Sequence, residues 1–185
     1  MESVINRVSM VGSVLGSDPE SLARARQGDE AAVAELIKNH RRRLIRIAGN
    51  MLHDRHEAED VAQETFLKAF RVIGALRDDR AFSSYLYKIC VRLCMDRMRS
   101  RRAAPAVVDK VQPSDAQGVE AKVLVERLLQ TLSPDLRMTL VLRELEQMSY
   151  AEVSKVMGVP LGTVRSRLHA ARERLRAIWR EEMAG

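Results

Sequence analysis

Apolar residues recur at helical spacing along most of the chain, with one long interruption. Between residues 18 and 102 they return every three to four positions, which is the period of an α-helix. Short turns divide this stretch into four predicted helices, the first of which starts at the pair Asp18-Pro19. The three longer helices are predicted at residues 31–51, 57–73 and 82–102. Core candidates of the helix at 57–73 are Val61, Phe66, Leu67 and Phe70. Because no alternating strand pattern occurs, the chain is predicted to be all-α.

The interruption covers residues 103–120 and changes the character of the chain. It holds two prolines, a glycine, small residues and three acids against one lysine, and no helical face persists through it. Such a composition is typical of a linker. We therefore expect two small helical domains, at 18–102 and 121–185, joined by a flexible linker. Fully extended, the linker would span roughly 60 Å at about 3.3–3.6 Å per residue, which is nearly two turns of duplex DNA at about 34 Å each.

The most specific local pattern lies between residues 149 and 168. Ser149 and Glu152 have the spacing of a capping box, so a short helix should begin there. Gly158 suits the left-handed residue that ends a helix. A second helix, basic on its outer face, then begins near Thr163. This pattern predicts a helix-turn-helix, whose second helix enters the major groove of DNA. The alternative interpretation is an ordinary helical hairpin with solvated arginines.

Charge supports a nucleic-acid partner. The formal net charge is +6, and the positive charge is clustered. Residues 84–102 carry six basic side chains against one acid, and residues 160–185 carry six arginines against three glutamates. Two separated basic helices indicate two separate contacts with nucleic acid.

No pattern points to catalysis or to a bound metal, and no cofactor is expected. Cys90 and Cys94 lie one turn apart on a predicted helix, which is poor geometry for a disulfide, so they are expected to be small buried residues. A redox role for them is the alternative. The histidines are scattered, and a solvated or capping role is expected for each of His40, His53, His56 and His169. An enzyme acting on nucleic acid is disfavoured, because the chain has neither a phosphate-binding glycine loop nor a nucleophile paired with a base.

The first 17 residues are a poor match to a secretory signal. Residues 1–17 contain apolar positions broken by polar ones, so they are expected to form a flexible N-terminal extension rather than a secretory signal. The alternative is that the true start of the protein is Met10. No apolar run approaches the length of a membrane span. A cytoplasmic protein is therefore expected.

Three segments resemble the sigma-70 family of bacterial RNA polymerase sigma factors. Residues 57–70 (EAEDVAQETFLKAF) look like the acidic helix of that family. Residues 82–97 (FSSYLYKICVRLCMDR) resemble the promoter-melting helix that follows, and residues 132–175 are similar to the C-terminal DNA-binding domain. The small size and the missing middle domain match the extracytoplasmic-function (ECF) subgroup. The resemblance implies a region 2-like four-helix domain and a region 4-like helix-turn-helix domain.

The resemblance also implies a role in transcription initiation, with core RNA polymerase as the first partner. In the family the acidic helix docks on the polymerase. The corresponding residues here are Glu57, Glu59, Asp60, Gln63 and Glu64. An acidic patch repels DNA, so it suits a basic protein surface. Taken alone, the segment would also fit a solvated helix face.

The helix at 82–102 corresponds to the one that holds the single-stranded −10 element. Separated strands need rings for the bases and cations for the phosphates. Candidate contacts are Phe82, Tyr85, Lys88, Arg92, Arg97, Arg99 and Arg101, with Tyr87 as a further aromatic residue. One of Phe82 and Tyr85 is expected in the core and the other outside. The sequence departs from the family in carrying Tyr85 where Trp is common and Arg92 where Asn is common.

The C-terminal helix corresponds to the one that reads the duplex −35 element. Candidate contacts are Thr163, Arg165, Ser166, Arg167, His169 and Arg172. The fork of Arg165 suits guanine O6 and N7. Ala170 stands where family members often carry Arg. ECF proteins are usually held inactive by an anti-sigma factor, so such a partner is expected. The competing class is an independent DNA-binding regulator, which would need neither an acidic docking helix nor a basic aromatic one.

Overall fold

The structure, a computed structural model, describes residues 19–76, 81–103 and 119–184, and all regular elements in these ranges are helical. The N-terminal half, up to residue 103, contains α1 (Pro19–Arg26), α2 (Glu30–Leu52), α3 (Arg55–Arg71), a 3₁₀ turn (Ile73–Ala75) and α4 (Ala81–Ala103). The C-terminal half contains α5 (Val119–Gln130), α6 (Pro134–Leu140), a π-helical turn (Val141–Leu145), α7 (Tyr150–Met157) and α8 (Leu161–Ala184). The prediction of an all-α chain is confirmed. The predicted N-terminal extension and most of the predicted linker lie outside the described residues.

Side-chain caps determine where the long helices of the N-terminal half begin. The carboxylate of Asp29 accepts hydrogen bonds from the backbone N–H groups of Ala31 and Ala32, so α2 begins at residue 30. Asp54 caps α3 in the same way through the N–H of Glu57. The helix therefore begins at Arg55, two residues before the predicted start. Between these helices, His53 adopts the left-handed conformation that ends α2, with a φ of 53°.

The core of the N-terminal half lies between α2, α3 and α4. The buried face of α2 repeats at three- to four-residue spacing, and it packs on both of the other long helices. Phe82, at the start of α4, has no exposed surface and packs against Phe70, with the ring centroids 6.0 Å apart. This packing holds α3 and α4 side by side.

The predicted helix-turn-helix is formed by α7 and α8. Ser149 and Glu152 make both hydrogen bonds of the capping box, at 3.2 and 2.7 Å. Gly158 takes the left-handed conformation, with a φ of 68°, and turns the chain into α8. Val164 and Leu168 bury the inner face of α8. The second helix begins at Leu161, two residues before the expected start.

The two halves pack against each other. The helix α7 lies along α4, and α6 and the π-helical turn contact α2. Buried apolar residues of both halves form one continuous core. The predicted linker reach allowed the halves to lie far apart, whereas this structure holds them together.

Candidate nucleic-acid and protein interfaces

The outer face of the first turns of α8 is open to solvent. Arg165, Ser166 and His169 are exposed, while Val164 and Leu168 beside them are buried. Helical periodicity explains this division, because the outer residues lie opposite the apolar stripe. The three exposed side chains form one polar surface at the N-terminal end of a helix, which is the end that contacts base edges in a helix-turn-helix.

The remaining candidates on α8 are held by neighbours in the C-terminal half. Arg167 forms an ion pair of 3.2 Å with Asp135, and Arg172 forms one of 2.5 Å with Glu144. The hydrogen bond to Glu144 raises the pKa of Arg172 above its ordinary value, so the guanidinium stays charged. Thr163 is half-buried, and its carbonyl accepts a 3.1 Å hydrogen bond from the hydroxyl of Ser166. DNA phosphates would have to compete with these acids for the two arginines.

The cations of α4 fall into two groups. Lys88, Arg92 and Arg99 are exposed. Arg99 forms an ion pair of 3.1 Å with Asp96, and Arg92 approaches the same carboxylate only to 4.0 Å. Pairs as exposed as these contribute little and exchange readily. These three side chains are therefore available to a polyanion.

The second group ties α4 to the rest of its own half. Arg97 donates to the carbonyl of Glu57 at 2.9 Å and forms an ion pair of 3.3 Å with Glu64. Arg101 donates to the carbonyl of Leu52 at 2.7 Å and pairs with the carboxylate of Glu57 at 2.7 Å. These contacts give Arg97 and Arg101 a role in docking α4 on α2 and α3.

The aromatic candidates are divided between core and surface. One of the two was expected inside and the other outside: Phe82 is fully buried, whereas Tyr85 is half-buried and lies only partly outside. Tyr87 is also buried, and its hydroxyl lies 3.0 Å from Nδ1 of His40. Of the three rings, only Tyr85 is partly accessible to a base in this conformation.

The expectation of a solvated or capping role was wrong for His40. Its side chain is buried between Tyr87 and Phe82, and burial, with the charge of Arg43, lowers its pKa to about 4. The sequence held the signal, since His40 is four residues from both Leu36 and Leu44 on the buried face of α2. His53 does end a helix, while His56 and His169 are exposed.

The acidic candidates of α3 divide in the same way as the cations of α4. Glu57 and Glu64 face α4 and bind its arginines. Glu64 also pairs with Lys68 at 2.8 Å, and that hydrogen bond is the main reason why its pKa is lowered. Glu59 pairs with Arg55 one turn earlier, and Asp60 and Gln63 are exposed. One side of α3 therefore faces α4, and the other is open to solvent.

A groove of about 400 Å³ opens beside the exposed side of α3. Its lining combines apolar side chains with a polar rim, formed by Ile37, Arg41, Glu59, Asp60, Ala62, Gln63, Phe66, Leu67 and Phe70. Leu67 was expected in the core, but 56% of its surface is exposed. Its position one residue after Phe66 turns it away from the buried face of α3. An exposed leucine next to a groove is the kind of feature that marks a protein contact.

The described ranges give no sign of a metal centre or of a membrane helix. They contain no group of three or more His, Cys, Asp or Glu residues that could hold a metal ion. No helix among the described residues is long and apolar enough to cross a membrane. Cys90 and Cys94 are buried and free, as predicted. The neighbouring Cys94 thiol and burial raise the pKa of Cys90 well above its usual range, which makes the thiol unreactive.

Comparisons with known proteins identify the family of both halves of the chain. Residues 36–104 match the family model of sigma-70 region 2, and residues 122–175 match that of sigma-70, region 4. The RNA polymerase sigma-H factor of Pseudomonas aeruginosa is 34% identical over 175 residues, which cover 84% of this chain and 90% of that protein. The ECF RNA polymerase sigma factor SigM of Mycobacterium tuberculosis is 36% identical over 162 residues, covering 86% and 83%.

The fold also occurs in a solved structure. The structure of CnrH in complex with the cytosolic domain of CnrY aligns with a TM-score of 0.73 and 26% identity, over 89% of this chain and 97% of that one. Fold, sequence and the order of the two matched regions thus agree. The chain belongs to the sigma-70 family of RNA polymerase sigma factors, in its ECF subgroup, and is a factor for transcription initiation.

Proposed function

We propose that this sigma factor uses three separate surfaces in transcription initiation. The groove on α3 docks on core RNA polymerase, the exposed cations of α4 hold the single-stranded −10 element, and the outer face of α8 reads the duplex −35 element. The observation that carries the proposal is the segregation of charge, because the groove rim carries two acids, Glu59 and Asp60, against one cation, Arg41, while exposed cations occupy α4 and α8. Residues 18–102 and 121–185 act as the two functional domains.

The polymerase contact combines charge with apolar surface. Asp60 and Gln63 form part of the groove rim, and Leu67 supplies an exposed apolar side chain beside Phe66. A partner with a basic rim and an apolar knob would match this surface in both respects. Glu57 and Glu64 take no direct part in this contact, since their carboxylates already bind the arginines of α4.

The −10 contact requires cations that phosphates can reach. Lys88, Arg92 and Arg99 meet this condition, and Tyr85 is the aromatic residue nearest to solvent on the same helix. Stacking of a separated base on an aromatic ring contributes about 1–3 kcal/mol. Binding energy of this kind opens the duplex without a chemical step. We infer that the protein needs no cofactor and is not an enzyme.

The −35 contact lies on α8. Arg165 is exposed in the first turns of the helix, where a bidentate fork reaches guanine in the major groove. Ser166 and His169 flank it. Arg167 and Arg172 gain phosphate contacts when DNA displaces their acidic partners.

A protein inhibitor and a cytoplasmic location complete the proposal. CnrH, whose fold this chain shares over 89% of its length, is bound by the cytosolic domain of CnrY. We infer that an anti-sigma factor likewise binds this protein and competes with polymerase or DNA for the surfaces described above. Because polymerase and promoter are cytoplasmic in bacteria, the protein acts there.

Run-off transcription tests the proposal directly. Purified core polymerase is incubated with a genomic fragment library, with and without the full chain. New transcripts whose start sites share paired upstream elements are expected only when the chain is present. Silence together with tight binding of the chain alone to duplex DNA would instead support an independent regulator.

The docking surface is tested with matched exposed residues. Leu67→Ala and Asp60→Asn should each weaken binding to core polymerase, by about 5- to 30-fold for the leucine. Glu30→Gln, an exposed acid at the start of α2, should bind as the wild-type protein does. Equal affinity for all four proteins would contradict the placement of the docking surface.

A further inference from the structure

One carboxylate of the C-terminal half lies between two arginines of the N-terminal half. Glu146 follows the π-helical turn, and its side chain has no exposed surface. Its Oε1 and Oε2 accept hydrogen bonds of 2.7 and 2.6 Å from Nε and Nη2 of Arg46. Oε2 also accepts a 2.9 Å bond from Nε of Arg43, and Arg43 donates further to the backbone carbonyl of Glu146. Both arginines belong to α2.

Neighbouring side chains hold Arg43 in position to bind the carboxylate of Glu146. Arg43 lies over the ring of Tyr87, 5.3 Å from its centroid, and the Tyr87 hydroxyl is positioned by His40. The side chain of Arg43 is only 17% exposed. An arginine fork fixed in this way binds a carboxylate with both geometric and electrostatic specificity. Burial of Glu146 is favourable only while both cations are in place.

A second polar contact joins the halves a short distance away. Arg137 of α6 is buried, and its Nη1 donates to the carbonyl of Met51 at 3.1 Å. The same atom lies 3.2 Å from Nε2 of His53. Nη2 donates to the carbonyl of Gln130 within its own half. Arg137 therefore connects the C-terminal end of α2 to the turn between α5 and α6.

The packed arrangement conflicts with binding of both promoter elements at once. The helix α7, which belongs to the helix-turn-helix, lies directly on α4, and packed helices are about 8–10 Å apart. The −35 and −10 positions are about 25 base pairs apart, which is roughly 85 Å at about 3.4 Å per base pair. The helix α8 is about 36 Å long at about 1.5 Å per residue, so its length alone does not cover this distance. The halves must separate before both elements are held.

We propose that Glu146, held by Arg43 and Arg46, is an intramolecular latch that keeps the two halves packed and thereby lowers promoter binding. The latch opens when the carboxylate leaves the arginine fork, and α4 and α8 can then occupy separate DNA elements. The inhibitory consequence rests on the function proposed above, whereas the packing itself does not. Because the latch is within one chain, it acts before any inhibitor protein binds.

Glu146→Gln is the first test, made on the full chain. The amide keeps the shape of the side chain but leaves two arginines of α2 facing each other without a counter-charge, so the packed state is disfavoured. Small-angle X-ray scattering should show a radius of gyration larger than that of the wild-type chain. The same variant should bind promoter DNA with core polymerase about 5- to 30-fold more tightly, because the competent open state is more populated.

Matched variants keep the test decisive. Glu173→Gln removes an exposed carboxylate that pairs with Arg176 within α8. It should change neither the radius of gyration nor the promoter affinity. Arg46→Gln removes one of the two arginines that bind Glu146. It serves as the second test of the latch if Glu146→Gln does not fold. The exchanged pair Arg46→Glu with Glu146→Arg should recover the compact form.

Each outcome decides a different point. A radius of gyration that stays at the wild-type value in both single variants would overturn the latch. Expansion without tighter promoter binding would overturn its inhibitory role. Expansion of the variants, with no transcription by any form of the chain, would leave the packing established and contradict the proposed function instead.

Discussion

At the residue scale, we propose that the exposed side chains of α8 carry the sequence specificity. Arg165 lies on the outer face of the helix, and its fork has the donors that guanine accepts. We expect Arg165→Ala to cost about 1–3 kcal/mol at the specific promoter and to relax the preference at one base position. Mobility-shift titration with the holoenzyme measures the loss. Arg176→Ala, further along α8 and paired with Glu173, is the control, and an equal loss there would contradict the assignment.

One buried and one half-buried histidine, His40 and His53, make stability depend on pH. Burial, with the charge of Arg43, lowers the pKa of His40 to about 4, and burial, with Arg137 and Arg101, lowers the pKa of His53 to about 4. The unfolded chain titrates near 6.5, so it binds more protons than the folded chain between about pH 4 and 6.5. Stability is therefore full above about pH 6.5 and falls as the pH drops through this window.

The variant His40→Gln isolates one of these groups. Urea unfolding of the wild-type protein at pH 7.5 and pH 5 should show a loss of stability on acidification. The loss should be smaller in His40→Gln, by about 1–2 kcal/mol, because one proton-binding group of the unfolded state is gone. Parallel pH dependence of the two proteins would show that His40 does not contribute.

At the element scale, we propose that the two sides of α3 have different roles, one in packing and one in polymerase binding. Glu57 and Glu64 face α4, while Asp60 and Gln63 face the groove. We expect Glu57→Gln to lower the free energy of unfolding by about 1 kcal/mol through the loss of its pair with Arg101, and to leave polymerase affinity unchanged. Asp60→Asn should leave the free energy of unfolding unchanged and weaken polymerase binding. Thermal unfolding and polymerase binding, measured on both variants, separate the two roles, and equal effects on binding would contradict the division.

Several helix boundaries could be predicted from the sequence. Local chemistry sets them, as the capping box at Ser149 and the left-handed Gly158 illustrate. The cap at Asp54 follows the same rule, although the start of α3 was predicted two residues too late. The π-helical turn at Val141–Leu145 has no such local signal: it has no side-chain cap, and its first two residues, Val141 and Leu142, are buried.

The division of the candidate site residues was less predictable, because it depends on how helices cross. Spacing placed the acids on α3 and the arginines on α4, but only their relative position makes Arg97 and Arg101 partners of the acids. The burial of Tyr87 follows from its contact with His40 on another helix. Residue type indicated the chemistry of each surface, and tertiary packing selected which members of each set remain exposed.

At the scale of the whole molecule, one core couples the two halves. Buried apolar residues run continuously from the N-terminal helices to the helix-turn-helix, and Glu146 and Arg137 join the halves by polar contacts. Halves that share a core unfold together, whereas halves connected only by a linker unfold independently. The unfolding curve therefore reports on the latch without DNA, polymerase or any label.

The single tryptophan of the chain makes this measurement specific. Trp179 lies on α8, so its fluorescence follows the C-terminal half, while far-UV circular dichroism follows both halves. In urea the two signals of the wild-type protein should change together. In Glu146→Gln the fluorescence transition should move to lower urea than the dichroism transition, because the C-terminal half loses the stabilisation that packing provides. Coincident transitions in both proteins would mean that Glu146 does not couple the halves, and separate transitions in the wild-type protein would mean that they were never coupled.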